Sequence, residues 1–301
     1  MTIDNQARYV LMTAARNEAA NIGRTIESVS AQTVKPVKWV IVSDGSTDGT
    51  DEIIKQYAIK HDFIDFQRKE CGNNKPDFAS KAFALKAGYL RLQGLGYQYI
   101  GVLDADITFF APSYYEEVLK RFAGNPLLGI GGGFIHENDK GPFRSRPANR
   151  VHSVAGAIQL FRRECYEMID GLRPSKAGGE DWMAEIYARM SGWEVQAFPE
   201  LVAYHHKSGF ATRGMVGDCI RQGVMDYTIG SHPLFEVLKC VRRVKMRPFF
   251  VGAAFRMYGY TLSWLRGREH AMSPAAMAFL RREQLGRVKH NLNSMVRKSL
   301  I

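Results

Sequence analysis

Short apolar runs alternate with stretches of helical spacing through the first third of the chain. Tyr9-Val10-Leu11-Met12-Thr13 is nearly all apolar and predicts a buried strand. Asn17 to Gln32 places Ile22, Ile26 and Val29 on one helical face. Trp39 to Val42 predicts a second strand, cut off by Ser43-Asp44-Gly45-Ser46-Thr47-Asp48-Gly49, after which Thr50 caps a helix carrying Ile53, Ile54 and Tyr57. A third strand near Phe63 to Gln67 precedes a helix from about Ser80 to Leu92. Tyr99 to Leu103 is a fourth strand, and it ends at Asp104.

This alternation predicts an α/β fold: a mostly parallel sheet with helices on both faces. The strands are apolar throughout, as expected when both faces are covered. Ligands of such sheets sit at the carboxyl ends of the strands. Attention therefore goes to Ala14 to Glu18, Asp44 to Asp48, Arg68 to Lys81 and Asp104 to Asp106. Further on, Gly129 to Gly133 implies a close backbone approach. His152 to Arg162 reads as strand or mixed structure. Glu180 to Gly192 reads as a helix with Met183, Ile186, Tyr187 and Met190 on one face, and Leu201 to Tyr204 as another strand.

Composition narrows the class. With 46% hydrophobic and 24% charged residues in 301, the chain is neither disordered nor fibrous. The net charge of +11 is not spread evenly: Cys240 to Ile301 holds 13 bases against Glu269 and Glu283, and the rest sums to zero. The charge step divides the chain into a body, residues 1–239, and a basic helical extension, 240–301. Cys71, Cys165, Cys219 and Cys240 form no CxxC pair, which suits thiols in a reducing cytosol. Met1 to Arg8 has no apolar signal core. No uncharged apolar run reaches the roughly 18 residues of a membrane span; Arg256 interrupts Phe249 to Leu265.

Four groups of residues suggest chemistry. Asp104-Ala105-Asp106 sets two carboxylates at a strand mouth, where they can converge on one hard cation or simply cap a turn. Asp44 and Asp48 lie in a turn rich in Asx residues; helix capping accounts for Asp48 better than for Asp44. Glu180 and Asp181 open a helix, where acids suit the free amides and where a general base can also stand. His205-His206 follows a strand and reads as a structural pair or as a source of a further metal ligand.

Taken in order, these pieces resemble the family 2 glycosyltransferases with the GT-A fold. The resemblance rests on Thr13-Ala14-Ala15-Arg16-Asn17-Glu18, Val42-Ser43-Asp44-Gly45-Ser46-Thr47-Asp48, Asp104-Ala105-Asp106 and Gly179-Glu180-Asp181, and it covers about residues 8–210. It implies an inverting, metal-dependent transfer from a nucleotide-diphosphate-sugar, a UDP-sugar most commonly, to a glycan or lipid-linked glycan acceptor in surface-glycan synthesis. Asp44 would contact the nucleobase, with Ala14 and Glu18 nearby. Asp104 would lie by the ribose and the Mn2+ or Mg2+ ion, Asp106 would bind the ion, and His205, in preference to His206, would add a ligand. Asp181 would be the catalytic base and Glu180 would support the acceptor. Lys75 and Lys81 stand where the family carries bases that touch the nucleotide, although Phe78, Phe83 and Lys86 replace its usual small residues. The family's Gln-x-x-Arg-Trp acceptor motif is not found, which argues against a processive synthase.

Two rival readings remain at this level. A sugar-phosphate nucleotidyltransferase would want a basic, glycine-rich loop after the first strand, where Ala14 to Glu18 stands. A nucleic-acid-binding protein would want stacking aromatics or a recognition motif, and the basic extension shows neither. That extension interleaves its bases with Phe249, Phe250, Tyr258, Trp264 and Leu265. It reads either as an interfacial helix pair on an anionic membrane, placing the protein peripherally on the cytoplasmic face, or as a helical cap with a solvated basic face.

Overall fold

A computed structural model describes residues 7–70, 79–138, 141–206, 214–244 and 249–299, with side chains to residue 290. Lys75 and Cys71 lie outside the described residues. The chain falls into two compact units, one drawn from 1–174 and 180–208, the other from 175–179 and 209–301.

The first unit runs β1 (Tyr9–Ala15), α1 (Ile22–Ser30), β2 (Lys38–Asp44), α2 (Thr50–Lys60), β3 (Ile64–Lys69), α3 (Ala79–Leu90), β4 (Tyr99–Val102) and β5 (Ile107–Thr108). It continues with α4 (Tyr114–Gly124), β6 (Leu128–Glu137), β7 (Arg144–Ser145), β8 (Leu160–Arg162), α5 (Arg163–Met168), α6 (Glu180–Met190) and β9 (Glu194–His205). The strands form one sheet in the order β3-β2-β1-β4-β8-β6-β9-β5, with β7 paired to β6. The half from β3 to β4 is parallel, as the alternation predicted. The other half is mixed: β8 runs antiparallel to both β4 and β6, while β6 and β9 are parallel. Tyr9 to Met12 and Trp39 to Val42 are fully buried, which is why their patterns show no polar alternation.

Local departures have local causes. The helix expected from Asn17 begins only at Ile22. Asn17 adopts a positive φ of 53°, and its side-chain oxygen accepts from the Thr47 amide at 2.9 Å, so it belongs to a loop. Thr50 is not a cap but the first residue of α2; Asp48 Oδ1 accepts from the Thr50 amide at 3.2 Å. Gly129 to Gly133 is the start of β6. A Cβ on Gly133 would lie 2.1 Å from the Leu201 carbonyl oxygen, so the glycines let β6 and β9 approach closely.

The second unit holds α7 (Gly214–Ile229), α8 (Pro233–Arg243), α9 (Val251–Leu265) and α10 (Pro274–Ser299). Lys239 and Cys240 both lie inside α8, so the charge step between them is not a break in the structure. The second unit's sequence holds 17 bases and 5 acids, and the first unit is one charge negative. Nor does Arg256 merely interrupt an apolar run. It is buried, and its guanidinium is paired with Asp226, with Gln222 and, at 2.7 Å, with Glu236. Lys239 completes the cluster at 2.8 Å from Asp226 and 3.1 Å from Glu236. No helix among the described residues is long and apolar enough to cross a membrane.

Candidate active site

Every candidate that falls in the described residues comes from the first unit. The loops after β1 and β2 are knitted together. The Glu18 amide donates to Thr50 Oγ1 at 2.8 Å, and the Ala19 amide to Asp48 Oδ2 at 3.1 Å. Ala14 is the penultimate residue of β1, opposite Val42 and partly exposed. Asp44 ends β2 opposite Lys69 of β3, and the two side chains pair at 2.8 Å, with Arg16 at 3.7 Å on the other carboxylate oxygen. The structure therefore places Ala14, Glu18 and Asp44 along one edge and adds two cations, Arg16 and Lys69, that the sequence reading did not single out. Both fall inside the strand-end windows, so the rule that located Asp44 could have found them.

β4 continues past Val102 into the carboxylate motif. The Leu103 amide donates to the Met12 carbonyl and the Asp104 amide to the Ala157 carbonyl, each at 3.0 Å. Thr25 Oγ1 of α1 donates to the Ala105 carbonyl at 2.8 Å and holds the turn from behind. β5 then pairs with the end of β9, Ile107 opposite His205. This pairing brings Asp106 Oδ2 to 3.2 Å from His205 Nε2. The other ring nitrogen lies 3.3 Å from Glu137 Oε1, because β6 sets Glu137 beside His205. Burial alone would lower the His205 pKa, but the hydrogen bonds to Asp106 and Glu137 push it up to about 9. His206 instead meets Thr108 Oγ1 at 2.8 Å, and burial and then Arg24 lower its pKa.

The donor set suits a small divalent cation. Two adjacent ligands on an octahedral ion with bonds near ~2.1 Å lie about 3 Å apart, and Asp106 and His205 already stand at that spacing. The hydrogen bonds to Asp106 and Glu137 that raise the His205 pKa favour positive charge between these carboxylates. Asp104 is the exception to the expected trio. Its carboxylate turns to Lys81, 2.6 Å away, and among the described residues no three His, Cys, Asp or Glu side chains gather as a metal cluster.

Lys81 links the two halves of the site. Burial alone would lower its pKa, but Asp104 first, then Glu180 and Asp181, hold the ammonium charged well above its usual range. The strand-end carboxylate and the α6 carboxylates are thus within reach of one cation. Glu180 is buried, and desolvation, followed by the charge of Asp181, raises its pKa. Asp181 Oδ2 accepts from the Gly156 amide at 3.2 Å, and Oδ1 from the Trp182 amide at 2.9 Å. A Cβ on Gly156 would lie 2.6 Å from that same Oδ2, so only glycine lets the carboxylate in. One turn later, Glu185 Oε1 accepts from the Val154 amide at 2.6 Å and from Ser153 Oγ at 3.1 Å. Burial pushes the Glu185 pKa up to about 8. A single loop, residues 153–157, therefore ties α6 to the Asp104 backbone. Neither Gly156 nor Glu185 was legible in advance, since a mixed-structure stretch gives no periodic signal. Glu137 was hidden behind the glycine run of β6.

The chain is similar to several known glycosyltransferases and polysaccharide synthases. A poly-beta-1,6-N-acetyl-D-glucosamine synthase of Staphylococcus epidermidis is 33% identical over 120 residues, 38% of this chain and 26% of that one. The synthase of Staphylococcus aureus strain COL is 30% identical over 183 residues, 54% of this chain and 41% of that one. The match thus takes in a quarter to two fifths of these relatives' length. Among solved structures, the mannosyltransferase PcManGT from Pyrobaculum calidifontis, in complex with GDP-Man and Mn2+, aligns over 93% of this chain and 80% of its own, at 20% identity and a TM-score of 0.56. Staphylococcus aureus TarS 1–349 with UDP-GlcNAc aligns over 91% and 79%, at 13% identity and a TM-score of 0.55. These two show the GT-A fold. Residues 11–174 match the model of glycosyl transferase family 2, more than half the chain, from within β1 through β8 and including Asp44, Asp104 and Asp106. On that span the chain belongs to glycosyl transferase family 2 and is a transferase.

Proposed function

We propose that the enzyme moves a sugar from a nucleotide-diphosphate-sugar to an acceptor hydroxyl by a single, inverting displacement that depends on a divalent cation. The observation that carries this reading is the placement of Asp181. Its carboxylate is pinned by the Gly156 amide and helps hold the Lys81 ammonium, the partner of Asp104, in its charged form. Asp44, with Ala14 and Glu18 alongside, would receive the nucleobase at the β1–β2 edge, and Asp104 the ribose. Lys81 would offset the charge of the diphosphate, and Lys75 would reach the nucleotide from outside the described residues. Asp106 and His205 would hold Mn2+ or Mg2+, with Asp104 close by. Such an ion, when bound, offsets the negative charge that builds on the leaving diphosphate.

Asp181 then takes the proton of the acceptor hydroxyl as its oxygen attacks the anomeric carbon. The new carbon–oxygen bond forms on the face opposite the diphosphate, whose own bond breaks, and the configuration inverts. Glu180 would support the acceptor. The relatives that make poly-N-acetylglucosamine and the fold neighbours that hold UDP-GlcNAc and GDP-Man favour a sugar diphosphonucleoside, a UDP-sugar first. As acceptor we propose a surface glycan, free or lipid-linked. A lipid-linked acceptor would set the enzyme peripherally against the cytoplasmic leaflet.

The test is calorimetry of UDP or GDP binding in the presence and absence of Mn2+. Asp106→Ala is expected to lower metal-dependent nucleotide affinity by at least about tenfold, since loss of even an outer-shell partner costs that much. Unchanged affinity with Mn2+ present would contradict the assignment.

A further inference from the structure

The helices α8 and α9 are inverted relative to water. α9 buries Ala253, Arg256, Gly259, Tyr260 and Ser263, and turns Val251, Tyr258 and Leu265 outward at seven-residue steps, with Trp264 beside them. α8 buries Glu236 and Cys240 and exposes Leu234, Val237, Leu238 and Val241 along one face. A helix on a water-soluble surface shows the opposite order. Ion pairs inside and apolar groups outside are the arrangement expected where the medium outside is apolar. The two faces meet where the chain passes from α8 to α9. There the Phe250 amide donates to the Val244 carbonyl at 3.1 Å, and a γ-turn closed by the Val251 amide on the Phe249 carbonyl gives Phe250 a φ of 56°. Both phenylalanines are exposed, Phe250 by 71%.

The charge around this surface selects its partner. From Val237 to Arg268 the sequence holds eight bases and no acid; Lys239 and Arg256 are paired with Asp226 and Glu236, which leaves six. Arg242, Arg266 and Arg268 are exposed at helix ends. A second copy would bring the same positive charge to the contact and be repelled, whereas an anionic leaflet attracts it. At 15 residues α9 is about 22 Å long, short of the ~30 Å hydrocarbon core, so it lies in the interface and does not cross it.

We infer that the outward faces of α8 and α9, with the Phe249–Phe250 turn between them, form a docking surface for an anionic lipid leaflet. This surface belongs to the second unit and the residues of the transfer site to the first, and its test reads binding without turnover. The probe is co-sedimentation of the full chain with vesicles of phosphatidylcholine alone or of phosphatidylcholine mixed with phosphatidylglycerol. The protein is expected to sediment with the mixed vesicles and not with phosphatidylcholine. Replacing exposed side chains, Phe250→Gln with Trp264→Gln and Leu265→Gln, is expected to lower vesicle affinity at least tenfold while nucleotide binding stays unchanged. Arg266→Gln and Arg268→Gln are expected to lower it about fivefold each. Equal sedimentation with both vesicle types, or none with either, overturns the inference. So does retention of affinity by the apolar variant, or light scattering showing a dimer that this variant breaks in the absence of any vesicle binding.

Discussion

Asp181→Asn is expected to lower sugar transfer by roughly 10²- to 10⁴-fold while leaving donor binding within about twofold of the parent. Asparagine matches aspartate in shape, and its side-chain oxygen can still accept from the Gly156 amide, so the loop from residue 153 to 157 keeps its anchor. What it loses is the capacity to take a proton, together with the oxygen that accepts from the Trp182 amide. A loss of that size corresponds to about 3–5 kcal/mol in the activation barrier. On the proposed reading, donor binding rests on Asp44 and Asp106 at the strand ends and on Lys81 of α3, and none of those side chains depends on Asp181 for its nearest partner. Single-turnover transfer combined with a nucleotide-binding isotherm separates the two quantities. Transfer at the parental rate would remove Asp181 from its role; equal loss of donor binding would make it a structural residue.

The second large effect concerns stability. Arg256→Met is expected to destabilise the helical unit by about 3–5 kcal/mol, because it leaves two buried carboxylates short of their partner. Arg256 is 4% exposed, Asp226 1% and Glu236 is fully buried. Lys239 reaches both acids but cannot replace the fork of the guanidinium, which touches Asp226, Glu236 and Gln222 at once. Methionine fills comparable space, so the loss is electrostatic and not a cavity. A urea titration followed by a signal from the helical unit checks this. An unchanged midpoint would mean that the cluster is solvated and that Arg256 is not its centre.

These two residues mark what the sequence made legible. Asp181 could be found because a helix start bearing two acids lies at a family-like interval from the Asp104-Ala105-Asp106 strand end. The parallel half of the sheet could be found because its strands are buried on both faces and read as continuous apolar runs. The mixed half could not, since β6 opens on glycines and β5 and β8 are too short to show a period. The role of Arg256 could not be read for a related reason. Along the chain it sits among aromatics and looks like a basic residue on an apolar face, whereas its partners, Asp226 and Glu236, come from two other helices. The clamp on Asp181 was likewise invisible: it is a glycine amide, and its contribution is the absence of a Cβ. A sequence shows which side chains a position carries but not which backbone groups its neighbours donate.

The inverting displacement itself is tested most directly by the anomeric configuration of the first product. With an α-linked nucleotide sugar and an acceptor that is turned over, the proton coupling at the new linkage should report a β-glycoside, formed before any slower equilibration. An α-glycoside would require two displacements and a covalent intermediate, and would contradict a mechanism in which Asp181 acts only as a base.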